Sequence, residues 1–157
     1  MQKIVFASLV GLASLAAACS SSSTPSVTLD KDDARATLID RNWLDVMPES
    51  QHDRLHVYRF VPSMGGGVYQ DRTLYKGTFE LFSFAVKDDF IHFNLHETHD
   101  KVVSRFKIEK VDGPEPFDLK LTISDDPRGP AVYYGMRSER DVDGHLLEQR
   151  LATQRTP

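Results

Sequence analysis

Three observations predict an all-β fold, an up-and-down antiparallel meander of about eight strands closed into a small barrel and flanked by one N-terminal helix. From Leu55 onward, short runs rich in β-branched and aromatic residues recur along the chain. Several alternate apolar and polar side chains with a period of two, most clearly Phe117-Leu119-Leu121-Ile123 against Asp118-Lys120-Thr122-Ser124. The runs are separated by turn-forming clusters: Lys87-Asp88-Asp89, Asp112-Gly113-Pro114, Asp125-Asp126-Pro127-Arg128-Gly129-Pro130 and Asp143-Gly144. A sheet of this size with one apolar face must close on itself or form two layers, because a long open edge invites aggregation.

Composition is that of one soluble domain: 157 residues, 40% hydrophobic, 27% charged, formal charge -4. Such a chain lacks the basic field that holds nucleic acid, and its charge does not attract anionic lipid. Membrane contact is expected from the N-terminus. Lys3, the apolar run Ile4 to Leu15 and the small residues Ala16, Ala17 and Ala18 form the three parts of a secretory signal, too short to span a bilayer comfortably. Leu15-Ala-Ala-Ala-Cys19 resembles the lipobox of bacterial lipoproteins. That resemblance implies cleavage before Cys19, a lipidated thiol and an acylated, palmitate-bearing amino group. Cys19 is the only cysteine, so its use as an anchor leaves no thiol for a disulfide, a metal or a nucleophile. Ser20 in the next position implies, by the same family's sorting rule, an outer-membrane anchor, with the domain expected to face the periplasm. The expected organisation is a signal peptide over 1–18, a lipidated cysteine and Ser-rich tether over 19–28, and a helix-plus-barrel domain over 29–157.

The only convincing helical pattern lies between Leu29 and Asp45. Asp30 is placed to cap it, Asp32 and Asp33 sit in the first turn, and Ala34, Leu38 and Ile39 line one face, with an end near Arg41 or Asn42. Trp43, the sole tryptophan, is expected to plug one end of the core beside the helix. Strands are expected near Leu55 to Val61, Val68 to Tyr75, Gly77 to Val86, Phe90 to His96, Val102 to Val111, Phe117 to Ser124, Ala131 to Arg137 and His145 to Ala152. In the third of these, Phe79 to Phe84 place aromatics on both faces, which a bulge or coverage by the helix would explain.

A tryptophan before the first strand, an eight-strand meander and one flanking helix together resemble the calycin group of lipocalins and their bacterial lipoprotein relatives, over most of residues 40–152. The resemblance implies a barrel able to hold an apolar ligand, and a basic residue from the final strands packed on the tryptophan, in position Arg137. In the lipocalin pattern a glycine stands two residues before the tryptophan, where this chain has Arg41.

Chemistry-bearing motifs are sparse. Gly65-Gly66-Gly67 lacks the Lys-Ser or Lys-Thr of a phosphate loop and joins two strands, which makes it a flexible hairpin tip, with a lid or docking loop as the alternative. His92 and His96 share a strand face yet lie roughly 13 Å apart at about 3.4 Å per residue, too far to ligate one ion. His96-Glu97-Thr98-His99 falls one residue short of the zincin spacing, leaving only a loose pair, His96 and His99. Glu139, Asp141, Asp143 and Gly144 echo a calcium loop whose twelfth position would be Arg150, not a carboxylate. No catalytic residue, metal site or cofactor is therefore expected. The ligand-contact candidates are Trp43, Phe60, Phe82, Phe84, Phe93, Phe106 and Tyr134, with Phe117 beside them, which either fill the barrel or line a cavity. The resulting expectation is a non-enzymatic outer-membrane lipoprotein acting as a structural or interaction module for an envelope protein partner. The alternative is a carrier for a lipid or other small apolar molecule; an envelope hydrolase would need a polar constellation in a cleft.

Overall fold

The computed structural model describes residues 26–137 and residue 149. Over residues 26–137, nine strands and one α-helix follow in the order β1 (Val27–Thr28), α1 (Lys31–Leu38), β2 (Asn42–Leu44), β3 (Leu55–Val61), β4 (Gly66–Arg72), β5 (Gly77–Lys87), β6 (Phe90–Leu95), β7 (Lys101–Lys110), β8 (Leu119–Ile123) and β9 (Val132–Gly135). Strands β2 to β9 pair antiparallel in sequence order, and β9 returns to β2 through Leu44 and Tyr134, so the meander closes into an eight-stranded barrel. Strand β1 lies outside this ring and pairs with Glu109 and Lys110 of β7, beyond Arg105, which faces the first residue of β6, Phe90.

Six of the expected strands lie within a few residues of β4 to β9, and Leu55 to Val61 coincides with β3. The closing strand differs from expectation. His145 to Ala152 lies outside the described residues except for Gln149, which is helical, and the ring is completed instead by the short strand around Trp43. Three residues are too few for a period of two to show in the sequence. They extend because Asn42, Trp43 and Leu44 pair with Arg59, Tyr58 and Val57.

Helix α1 starts where its cap predicts: the Asp30 carboxylate accepts the Asp33 N–H at 2.9 Å, with Asp32 and Asp33 at the positive end of the dipole. It ends at Leu38, earlier than Arg41, because Ile39 turns extended to bridge Phe60 of β3. The chain thus crosses one mouth of the barrel from β7, where the Leu29 N–H donates to the Ile108 carbonyl, to β3, where the Asp40 N–H donates to that of Phe60. Ala34 and Leu38 point into the core.

β5 and β7 are the long strands, and each changes partner along its length. β5 pairs with β4 over 77–82 and with β6 over 82–87; β7 pairs with β6 over 101–105 and with β8 over 106–110. This stagger gives a closed barrel its strand tilt. No bulge is needed at Phe79 to Phe84. Phe82 and Phe84 face inward, while Phe79 and Leu81 stay on the outer face at 68% and 55% exposure, since α1 covers the opposite end of the barrel.

Gly66 and Gly67 belong to β4 rather than to a flexible tip. A Cβ at Gly67 would collide with the Phe82 ring and the Arg59 carbonyl, so the close approach of β3 and β5 excludes a side chain there. Gly65 alone takes a left-handed conformation, φ 79°, where the short 3-10 turn Pro62–Met64 ends.

The core is a ring of inward-facing residues around Tyr58, whose centroid lies 4.8 to 6.1 Å from those of Phe60, Tyr69, Phe82, Phe93 and Tyr133. Trp43 is fully buried in the same cluster, its indole N–H donating to the Leu38 carbonyl at 2.9 Å and so tying the helix end to the barrel. Truncation of Trp43 to Ala is expected to cost about 3–5 kcal/mol. Denaturant unfolding checks this; a loss under about 1 kcal/mol would contradict the central role given to the indole.

Candidate functional site

Two regions carry chemistry: the aromatic interior and a polar cluster across the mouth opposite α1. In the interior, Trp43, Phe60, Phe82, Phe93 and Phe106 converge as expected, all at most 3% exposed, and Phe84 packs half-buried against them. Phe60 meets Phe82, Phe84 and Phe93 at centroid distances of 5.6, 5.1 and 6.2 Å. Aromatic rings in these offset and edge-on arrangements are each other's partners, so these side chains occupy the space a cavity would need.

Tyr134 and Phe117 do not join them. They stack on one another at 5.8 Å outside the barrel, in a second cluster with Leu44, Leu55, Val57 and Met136. Phe117 precedes β8, so the alternation that places Leu119, Leu121 and Ile123 inward does not extend to it. Tyr134 alternates outward from Tyr133, which is the inward tyrosine of β9. The cation on the tryptophan is also reassigned. Arg137 pairs with Asp118 at 2.8 Å, whereas the Arg41 guanidinium lies 5.9 Å from the Trp43 ring and donates to the Met136 carbonyl.

The polar cluster is built by the β8–β9 loop, residues 124–131. Its Asp126 side chain accepts the Tyr58 hydroxyl at 2.9 Å and the Tyr133 hydroxyl at 2.6 Å, together with the backbone N–H groups of Arg128 and Ala131 at 2.9 and 3.1 Å. The Ser104 hydroxyl donates to the Asp125 carbonyl, the Tyr69 hydroxyl to the Arg128 carbonyl, and the Arg128 guanidinium pairs with Glu80. The loop is thereby held by β3, β4, β5, β7 and β9 at once, and it closes the mouth. Burial, with the negative Asp126 beside them, raises the Tyr58 and Tyr133 phenols far above their ordinary value, and Tyr69 is raised for the same reasons.

Next to this plug, the His56 Nδ1 lies 2.6 Å from Asp45 and its Nε2 3.7 Å from Asp71, while Arg54 pairs with Asp71 through two hydrogen bonds. A His–Asp pair can orient a general base, but here the far nitrogen meets a second carboxylate in place of a nucleophile. The arrangement serves as a clamp that holds the β2–β3 loop to β3, reinforced by the His56 N–H donating to Asp45 at 2.7 Å.

The histidine run behaves as solvated surface. His96 contacts Ser83 at 3.3 Å, His99 sits in a turn with φ 63°, and no group of three or more potential ligands gathers among the described residues. The calcium-like stretch Glu139 to Gly144 and Arg150 lies outside the described residues.

Asp126, Arg128, Glu80 and the three tyrosines were not singled out by motif. The legible signal was that Tyr58, Tyr69 and Tyr133 each fall on an inward strand position, and a buried phenol needs an acceptor. Asp126→Ala, which leaves two hydroxyls and two N–H groups without their acceptor, is expected to cost at least about 3 kcal/mol; Tyr133→Phe, about 1–2. The raised phenols also set an alkaline limit. Below the ordinary tyrosine value of 10.0 both states are protonated and the stability is intact. Above it, the unfolded chain loses phenolic protons that the folded chain retains, so stability falls by up to about 1.4 kcal/mol per pH unit per tyrosine. Tyr58→Phe or Tyr133→Phe should flatten that slope in denaturation series between pH 9 and 11; an unchanged slope would contradict the assignment.

Compared with protein-family models, curated proteins and solved structures, the chain matches none.

Proposed function

We propose that this chain is a non-enzymatic, lipid-anchored outer-membrane protein whose barrel acts as a structural or interaction module in the cell envelope. The observation that carries the module reading is the filled interior: the rings that a carrier would turn toward its ligand contact each other, with α1 across one mouth and the Asp126 loop across the other. A carrier of this architecture needs a hollow of some hundreds of Å³.

The anchor reading rests on the residues around Cys19, because among the described residues no helix is long and apolar enough to cross a membrane. Several acyl chains on one cysteine hold a protein at a bilayer stably where one chain holds it only marginally. Between anchor and barrel, the Ser-rich stretch Ser20 to Thr24 leads to β1, whose pairing with β7 fixes where the tether meets the domain.

The test has two arms. Cys19→Ala should abolish incorporation of radioactive palmitate and release the protein from the membrane fraction; unchanged labelling and fractionation would remove the anchor from the proposal. Solvent extraction of the wild-type protein purified from a bacterial envelope, followed by mass spectrometry, should yield no apolar molecule in stoichiometric amount beyond the anchor's own chains. A stoichiometric free lipid would replace the module reading with the carrier.

A further inference from the structure

Closure of the barrel leaves part of one edge of β5 unused. β5 is paired on both sides only near Phe82. Over Gly77 to Leu81 it has β4 on one side and no strand on the other among the described residues, because β6 ends at Leu95, opposite Phe82. The direction of the backbone groups follows from Gly66, which faces the Phe82 carbonyl at close range. Since Phe82 turns its carbonyl toward β4, alternation along the strand turns the N–H and C=O groups of Gly77, Phe79 and Leu81 the opposite way, into the open edge. Among the described residues, none of these groups takes part in a turn or loop hydrogen bond.

The side chains at this edge are apolar and exposed. Phe79 is 68% exposed, Leu81 55%, and the neighbouring Met64 84%; an apolar cleft of about 170 Å³ joins Met64, Val68 and Leu81. Edge strands are ordinarily protected by charged residues, proline or a bulge; residues 77–81 contain no proline or bulge, and their one charge, Glu80, is paired with Arg128.

We propose that this edge is an interface for a second copy of the chain, with β5 pairing antiparallel to β5 of its partner about a two-fold axis at Phe79. The occupant follows from self-complementarity. In this register Phe79 opposes Phe79, and Gly77 opposes Leu81 in both directions, so each outward-facing residue exchanges its N–H and C=O with one that also faces outward. The outer face meets across the axis as Phe79 on Phe79, with each Leu81 over a glycine that leaves it room. No charge meets its like: Thr78 opposes Glu80, and each Glu80 is already paired with Arg128 of its own barrel. An unrelated peptide could use the same edge by strand addition. A second copy is favoured by what this register brings together: Phe79 on Phe79, Leu81 over Gly77 and no like charges opposed. The reading extends the module function proposed above, and it stands whether or not Cys19 is lipidated.

Cysteine cross-linking of the full-length chain carrying Cys19→Ser tests it. Phe79→Cys places two thiols across the axis, where opposed Cα atoms lie about 5.5 Å apart, within disulfide reach. Mild oxidation should give a covalent dimer, and Ala85→Cys, on the half of β5 covered by β6, should give none. Light scattering at about 50 µM should report a dimeric mass, and Phe79→Lys, which opposes two ammonium groups at the axis, should raise the dimer dissociation constant at least about tenfold with an unchanged circular dichroism spectrum. A monomeric mass, equal cross-linking at positions 79 and 85, or a Phe79→Lys variant with unchanged self-association would overturn the proposal.

Discussion

The constraint on which this barrel depends is the need to give each inward tyrosine an acceptor. Tyr58 stands at the centre of the aromatic ring system, and its hydroxyl, with that of Tyr133, points to a mouth of the barrel. Unpaired, each would carry a desolvation penalty comparable to the contribution of its ring. One carboxylate resolves both, because Asp126 has enough lone-pair capacity for two hydroxyls and two backbone N–H groups. The loop that delivers it must therefore lie across that mouth, and closure of the end opposite α1 follows from the chemistry of the interior.

The opposite mouth is closed by different means. There the crossing element is a capped helix of eight residues, too short to be stable alone, so its place is set by tertiary contacts. Leu29 bonds to β7, Asp40 to β3, and Trp43 reaches back to the Leu38 carbonyl. The same indole packs beside Gly135 of β9, where a Cβ would stand about 3.0 Å from the ring, so one side chain joins the helix, the closing strand and the last strand. Arg41 covers that ring from the polar side.

Much of this was legible in the sequence wherever one residue type repeats at one spacing. The alternation in β6 and β8 and the turn-forming clusters placed the strands and their order, and Asp30 placed the start of the helix. Four of the eight aromatic candidates, Phe60, Phe82, Phe93 and Phe106, are buried in the interior because they lie on the inward parity of regular strands. The failures lie where a neighbour outweighs local pattern. Trp43 is extended because β3 pairs with it, Phe117 turns outward because β8 begins two residues later, and Arg137 finds Asp118 before it can reach the tryptophan. The plug was hidden for a further reason: a loop carboxylate and three tyrosines scattered from 58 to 133 share no spacing, and only the closed ring brings them together.

The stagger that closes the ring also creates its one asymmetry. A strand that changes partner partway along must leave half an edge uncovered on each side unless a neighbour fills it. At β7 the gap beside β6 is filled by β1, which pairs with Glu109 and Lys110. At β5 the corresponding gap opens past Leu95 with no described strand to fill it, and there the outward residues are phenylalanine and leucine instead of the charged residues that line the outer face of β7, such as Arg105 and Lys107. The two gaps on the β6 side of these strands thus differ in chemistry. The one filled within the chain is polar, and the one left open is apolar, which is the composition expected of a surface shaped by contact with another polypeptide.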